Sequence, residues 1–78
     1  MKTRYFSFGQ KHTHSLNGHT LDKNCIVKIT AENPREIMVD YFQSEWCFEY
    51  TDFTEEDLKY YPRGVYNIMD NKWEYQNK

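Results

Sequence analysis

The stretch "YFSFGQKHTHSLNGHT", residues 5–20, followed by "CIVKIT", residues 25–30, decides the fold. Over residues 4–14 the side chains alternate. Phe6, Phe8, Gln10, His12 and His14 fall on one side, and Tyr5, Ser7, Gly9, Lys11 and Thr13 on the other, which is the period of a strand. Phe6 and Phe8 mark the core side. Asn17-Gly18 is a hairpin signal, because a type I′ turn needs positive φ at both central residues and these two residue types tolerate it. A tight turn there sets Phe8 opposite Val27, Phe6 opposite Ile29, Gln10 opposite Cys25 and His14 opposite Leu21. The apolar sides then coincide, although a longer loop over residues 15–23 would reach a similar pairing.

Outward from the hairpin, "AENPREIMVDYFQSEW" (residues 31–46) predicts a helix. Asn33 is a cap, Pro34 suits the first helical position, and no breaker follows until after Gln43. Ile37, Met38, Tyr41 and Phe42 fall at helical spacing and form its buried stripe. "WCFEYTDF" (residues 46–53) alternates again, with Trp46, Phe48 and Tyr50 on one side, and predicts a third strand beside the first. Thr54 and Asp57 read as a capping box opening a short helix, "EEDLKYY" (residues 55–61), that Pro62 ends. "GVYNIM" (residues 64–69) is a brief extended segment, and "DNKWEYQNK" (residues 70–78) a partly ordered tail. The expected architecture is α+β: one domain over residues 1–78, of ββαβ-α order. It has a three-stranded antiparallel sheet in the order 2-1-3, a helix on one face and a short C-terminal helix.

A chain of 78 residues is near the lower end of what folds without disulfides, metal or a partner, so its core must use large side chains. The 18% aromatic content supplies them. No apolar run approaches the roughly 20 residues that span a bilayer, and "MKTRYFSFGQ" lacks the features of a secretion signal, so action in the cytoplasm is expected. Cys25 and Cys47 read as buried, reduced thiols, with a disulfide possible only between neighbouring strands.

The net charge of −2 hides a strong segregation. Residues 1–35 carry six Lys or Arg against two acids, residues 36–58 carry eight acids and no base, and residues 59–78 carry four bases against two acids. The middle segment should create a local negative field.

"YFSFGQKHTH", then "NG" and "DKNCIVKI", a helix ending in "YF", and "WCFEY" together resemble a group of short bacteriophage-encoded proteins. That group has an aromatic-Gly-Gln-x-His-x-His start and a tryptophan-aromatic strand near position 50, and the likeness covers roughly residues 4–50. The resemblance transfers no activity. It implies a setting: a phage accessory protein in the host cytoplasm, where many small phage proteins inhibit host machinery or immunity.

The histidines are the first candidate site. His12 and His14, two apart on a strand, would point the same way, with His19 or Asp22 as a third ligand for a metal. The pattern lacks the spaced Cys and His of a structural zinc site, so neither metal nor cofactor is expected. Catalysis is not expected either: no second histidine motif supplies an acid to match a base, and neither Cys has a cationic neighbour to activate it. Tyr5, Lys11, Lys28 and Arg4 could face a nucleic acid, but the basic residues are isolated and the isoelectric point is about 5.9, so direct nucleic-acid binding is not expected.

The leading expectation is a non-enzymatic protein, monomeric or a small homo-oligomer, that binds a host protein with a basic surface. The residues expected to carry it are Asp40, Tyr41, Glu45, Glu49, Asp52, Phe53, Glu55, Glu56 and Asp57, with acids for steering and rings for contact area. An anti-defence role, against a CRISPR system or a nuclease, fits that expectation. The alternative is a small-ligand or nucleotide-binding protein using Tyr5, Lys11, His12, His14 and His19.

Overall fold

The structure is a computed structural model that describes residues 1–74. In chain order it contains β1 (Lys2–Ser7), β2 (His14–Leu16), β3 (His19–Leu21), β4 (Cys25–Ala31), α1 (Pro34–Phe42) and β5 (Glu49–Tyr50). A 3-10 helix (Glu55–Tyr60), β6 (Gly64–Asn67) and β7 (Lys72–Trp73) follow. Five strands make one mixed sheet in the order β5-β1-β4-β6-β7, while β2 and β3 pair separately. The expected three-stranded antiparallel sheet is therefore incorrect. Its 2-1-3 order survives as β4-β1-β5, but the sheet continues past β4 through a parallel strand, β6, and an antiparallel edge, β7.

The hairpin holds at its turn and shifts further in. Asn17 and Gly18 take φ of 53° and 80°, and His14 lies opposite Leu21 as expected. In the long ladder, however, Phe6 pairs with Val27 instead of Ile29. The strand breaks after Ser7: residues 8–13 leave the ladder through a turn closed by the His12 amide on the Gly9 carbonyl (3.1 Å), and absorb the difference. A slip of two residues returns each side chain to the same face, so the core assignment survives the wrong register.

Phe6, Phe8, Leu21, Cys25, Val27, Ile29, Met38, Phe42, Tyr66 and Ile68 form one buried cluster between the sheet and α1, with the β2–β3 hairpin closing one end. On α1, Pro34, Met38 and Phe42 are buried and Ile37 is half-buried, but Tyr41 is 50% exposed, against expectation. A nine-residue helix crossing two strands, β1 and β4, buries only a narrow stripe, and Tyr41 lies beside it. Asn33 precedes the helix, yet its side chain makes no cap; its amide donates to the Glu36 carboxylate at 3.3 Å.

The predicted third strand is reduced to Glu49–Tyr50. The Cys47 amide donates to the Ser7 carbonyl (2.7 Å), while the Ser7 amide donates to the Phe48 carbonyl (3.0 Å). Two residues thus answer one, as in a β-bulge, and the expected alternation fails there. Trp46 turns into the core, meeting Phe6 edge-on at 5.2 Å, whereas Phe48 is 60% exposed. The Cys47 thiol is exposed, contrary to expectation, and Cys25 is buried; both are free. Burial pushes the Cys25 thiol up to about 11, with smaller opposing effects from Asp22 and Arg63, so it stays protonated at neutral pH.

From β5 the chain returns across the face of the sheet opposite α1 to reach β6. Along β1, Tyr5 and Ser7 alternate with the core residue Phe6 and point to that second face, where Phe53 stacks on Tyr5 at 5.5 Å. The expected short helix is a 3-10 helix, in which the Asp57 carboxylate accepts from the Thr54 amide at 2.9 Å. Gly64, at φ 90°, makes the bend into β6. Ile26 and Val65, opposite each other across β4 and β6, are both fully buried on this second face. "GVYN", expected within a brief extended segment, is a buried strand shielded on both faces; four residues give little periodicity by which to place it in the sheet. In the stretch expected to be a partly ordered tail, residues 70–74 form β7 and its flanks, and residues 75–78 lie outside the described residues.

A polar network ties β7 to this face. Lys28 Nζ lies 2.9 Å from one Glu74 carboxylate oxygen, and the Asn67 amide donates to the other at 2.7 Å. Burial raises the Glu74 pKa, but the Asn67 and Lys28 hydrogen bonds and the Lys28 and Lys72 charges more than offset this, leaving it below its ordinary 4.5. A depressed carboxyl contributes stability that is present above its unfolded value and lost as pH falls through its folded one. Glu74→Gln should cost about 1–2 kcal/mol at pH 7. The difference in melting temperature from the native chain should narrow as the pH is taken from 6 to below about 4. A difference that stays constant over that range would remove the carboxylate from the account.

Candidate partner-binding site

The three histidines occupy three separate places. His12 accepts from the Gly9 amide through Nδ1 at 2.9 Å and lies in the turn, not on a strand. A Cβ at Gly9 would sit 3.3 Å from that nitrogen, so glycine leaves room for the imidazole to fold back. His14 packs between Phe8 and Phe42, at 5.2 and 4.7 Å between ring centroids. Its Nε2 lies 2.8 Å from the Glu45 carbonyl oxygen, which can only accept, so that nitrogen carries the proton. His19 packs on Tyr66 and Trp73 and accepts from the Trp73 indole through Nδ1 at 3.3 Å.

The expected common face of His12 and His14 does not form, because the strand that would have created it is broken between them. His14 and His19 instead wedge the β2–β3 hairpin against the core. Among the described residues no group of three His, Cys, Asp or Glu gathers as a metal site requires. The alternative ligand set is scattered as well: Tyr5 lies on the second face under Phe53, and Lys11 is exposed in the turn.

The acidic and aromatic residues divide between the two faces of the sheet. Asp40 and Tyr41 are exposed on α1, and Glu45 just beyond it, where its carboxylate comes within 4.0 Å of His14. Glu49 points to the α1 face and is matched by two cations, Arg4 at 3.6 Å and Arg35 at 3.5 Å. It is neutralised within the fold. Asp52, Phe53, Glu55, Glu56 and Asp57 belong to the returning segment on the second face.

There they gather with three tyrosines. Tyr50, Asp52, Phe53, Asp57, Tyr60 and Tyr61 line a recess of about 180 Å3, and Phe53, Thr54, Glu55 and Leu58 line an adjoining cleft of about 250 Å3. Tyr60 is 66% exposed, and Phe48 and Tyr50 extend the aromatic surface along the sheet edge, their rings 6.3 Å apart. Burial pushes the Tyr61 phenol up to about 12, reinforced by its hydrogen bond with Tyr50 and opposed by Ser7, so it remains a neutral donor. Among the described residues, the Lys and Arg ion pairs engage Asp22, Glu49 and Glu74, and no ion pair engages Asp52, Glu55, Glu56 or Asp57.

Tyr60 and Tyr61 belong to this lip although the sequence assigns them only to the end of a helix. The available signal was "KYY" placed one turn after a capping box, which puts two rings beside the acids of the first turn. No family model, curated protein or solved structure matches the chain. No helix among the described residues is long and apolar enough to cross a membrane.

Proposed function

We propose that the chain is a non-enzymatic phage accessory protein that binds a host protein through the lip formed by residues 48–61. In this reading it acts as an inhibitor or modulator, with a nuclease or a CRISPR-type defence complex as the fitting class of target. One observation carries it: exposed Phe48, Tyr50 and Tyr60 stand beside acids that the fold does not neutralise. Net negative charge, Asp52, Glu55, Glu56 and Asp57 against Lys59, supplies steering toward a basic surface, and the rings supply contact area at low entropic cost. Nucleic-acid-handling enzymes present basic grooves, and an acidic lip of this kind competes for them.

The test is affinity capture from bacterial lysate with tagged protein, read at rising salt. A bound host protein should be released as the Debye length shrinks from about 10 Å at 0.1 M to about 3 Å at 1 M. Lys11→Ala, at an exposed turn position away from the lip, should leave capture unchanged. Binding indifferent to salt, or abolished by Lys11→Ala, would refute the assignment to this surface.

A further inference from the structure

The recess between β5 and the end of the 3-10 helix combines aromatic rings with carboxylates. Four rings, Tyr50, Phe53, Tyr60 and Tyr61, line it with two carboxylates, Asp52 and Asp57. Phe53 is held by rings on either side, stacked on Tyr5 at 5.5 Å and tilted against Tyr61 at 6.0 Å. Asp57 is oriented by the Thr54 amide, which donates to it at 2.9 Å. Phe53 and Asp57 are therefore set before any ligand arrives, which lowers the cost of binding. At about 180 Å3 the recess is smaller than the roughly 300–1,000 Å3 of sites for drug-sized molecules. A nucleotide is too large for it, and the end of a single side chain is of the right order.

The chemistry of the walls selects the occupant. Ring faces attract a cation within about 6 Å of their centroids. The chain's own Lys59 Nζ lies 5.3 Å from the Tyr60 centroid, so an incoming cation displaces it from that ring or uses its other face. An ammonium is compact and strongly hydrated. A guanidinium is planar, more weakly hydrated, stacks on aromatic faces and presents a fork of donors that suits carboxylates. We propose that this recess receives an arginine side chain of the partner protein. The inference rests on the reading of the lip as a partner-binding surface and names the group that the surface recognises.

The test is a titration of the 15N-labelled 78-residue chain, followed by NMR, with three blocked tripeptides: Gly-Arg-Gly, Gly-Lys-Gly and Gly-citrulline-Gly. Citrulline keeps the shape of arginine and lacks its charge. The arginine peptide should shift the amides of residues 50–61, bind at least five-fold more tightly than the lysine peptide, and leave residues 12–19 unmoved. The citrulline peptide should shift nothing. Tyr60→Ala, at an exposed position that the fold does not need, should weaken arginine binding at least five-fold, and Tyr60→Phe should retain it. Asp52→Asn, a second exposed position, should weaken it as well. Equal binding of citrulline or lysine, shifts centred elsewhere, or indifference to Tyr60→Ala would overturn the proposal. If arginine fails here while salt-sensitive capture of a host protein persists, the recess is wrong and the wider surface stands; if both fail, the surface reading falls too.

Discussion

Phe6→Ala is expected to leave the chain largely unfolded at 37 °C. Phe6 is fully buried on β1, the strand held between β4 and β5, and it meets Trp46 edge-on at 5.2 Å in the cluster that includes Val27 and Met38. Truncating a buried Phe to Ala costs about 3–5 kcal/mol, from lost transfer free energy and from the cavity left behind. At about 0.05–0.15 kcal/mol per residue, a 78-residue domain has roughly 4–12 kcal/mol in all. The loss is thus comparable to the lower half of that range. Urea unfolding should show a midpoint lowered by about 2–5 M if the slope is near 1–1.5 kcal/mol per M. Phe6→Leu, which fills most of the same space, should lose well under half as much. A loss below about 1 kcal/mol for Phe6→Ala would mean that the β1–α1 contact is not the centre of the core.

That residue also shows what could be read from sequence. Phe6, Val27 and Ile29 were assignable to one buried face because strand alternation is strict over short runs and Asn17-Gly18 fixes a turn of known geometry. The exact pairing was not readable. The turn at residues 8–13 depends on His12 folding back on Gly9, and no local pattern announces that contact. An even-numbered slip hides itself, since it leaves the faces intact.

The extended segment read at residues 64–69 is present as β6, but its place in the sheet, and β7 itself, come from long-range structure. β6 is a strand because β4 lies beside it and both faces are covered, conditions set by chain far away in sequence. β7 in turn exists because β6 offers it an edge. The same reasoning applies to the site. The acidic run at residues 36–58 was obvious in the sequence, but its division between two faces of a sheet was not. Arg4 and Arg35 neutralise Glu49, which no inspection of the run itself could show, since both lie outside it.

The surviving acids define the second large effect. Glu55→Lys with Glu56→Lys is expected to weaken host-protein capture about 10- to 100-fold, or roughly 1.4–2.7 kcal/mol. Both carboxylates are exposed at the start of the 3-10 helix, beside the cleft formed by Phe53, Thr54 and Leu58. Neither is in an ion pair within the described residues. Against a basic surface the substitution replaces two attractions by two repulsions, and like charges brought together at an interface cost more than the loss of a rim contact. Much of the loss should come from slower association, because steering acts on the encounter.

The substitution also places positive charge at a helix start, where about 0.3–1 kcal/mol of fold stability is at stake for each charge. That cost must be separated from the binding effect, so the variant's melting curve is part of the measurement. Glu55→Gln with Glu56→Gln should fall between the native chain and the reversal. The decisive control is Glu32→Lys with Glu36→Lys, which changes net charge by the same amount in a different segment, around the start of α1. If net charge alone governed capture, the two reversals would be equivalent. If the lip is the docking surface, only the first removes binding, and the salt dependence of what remains should flatten with it.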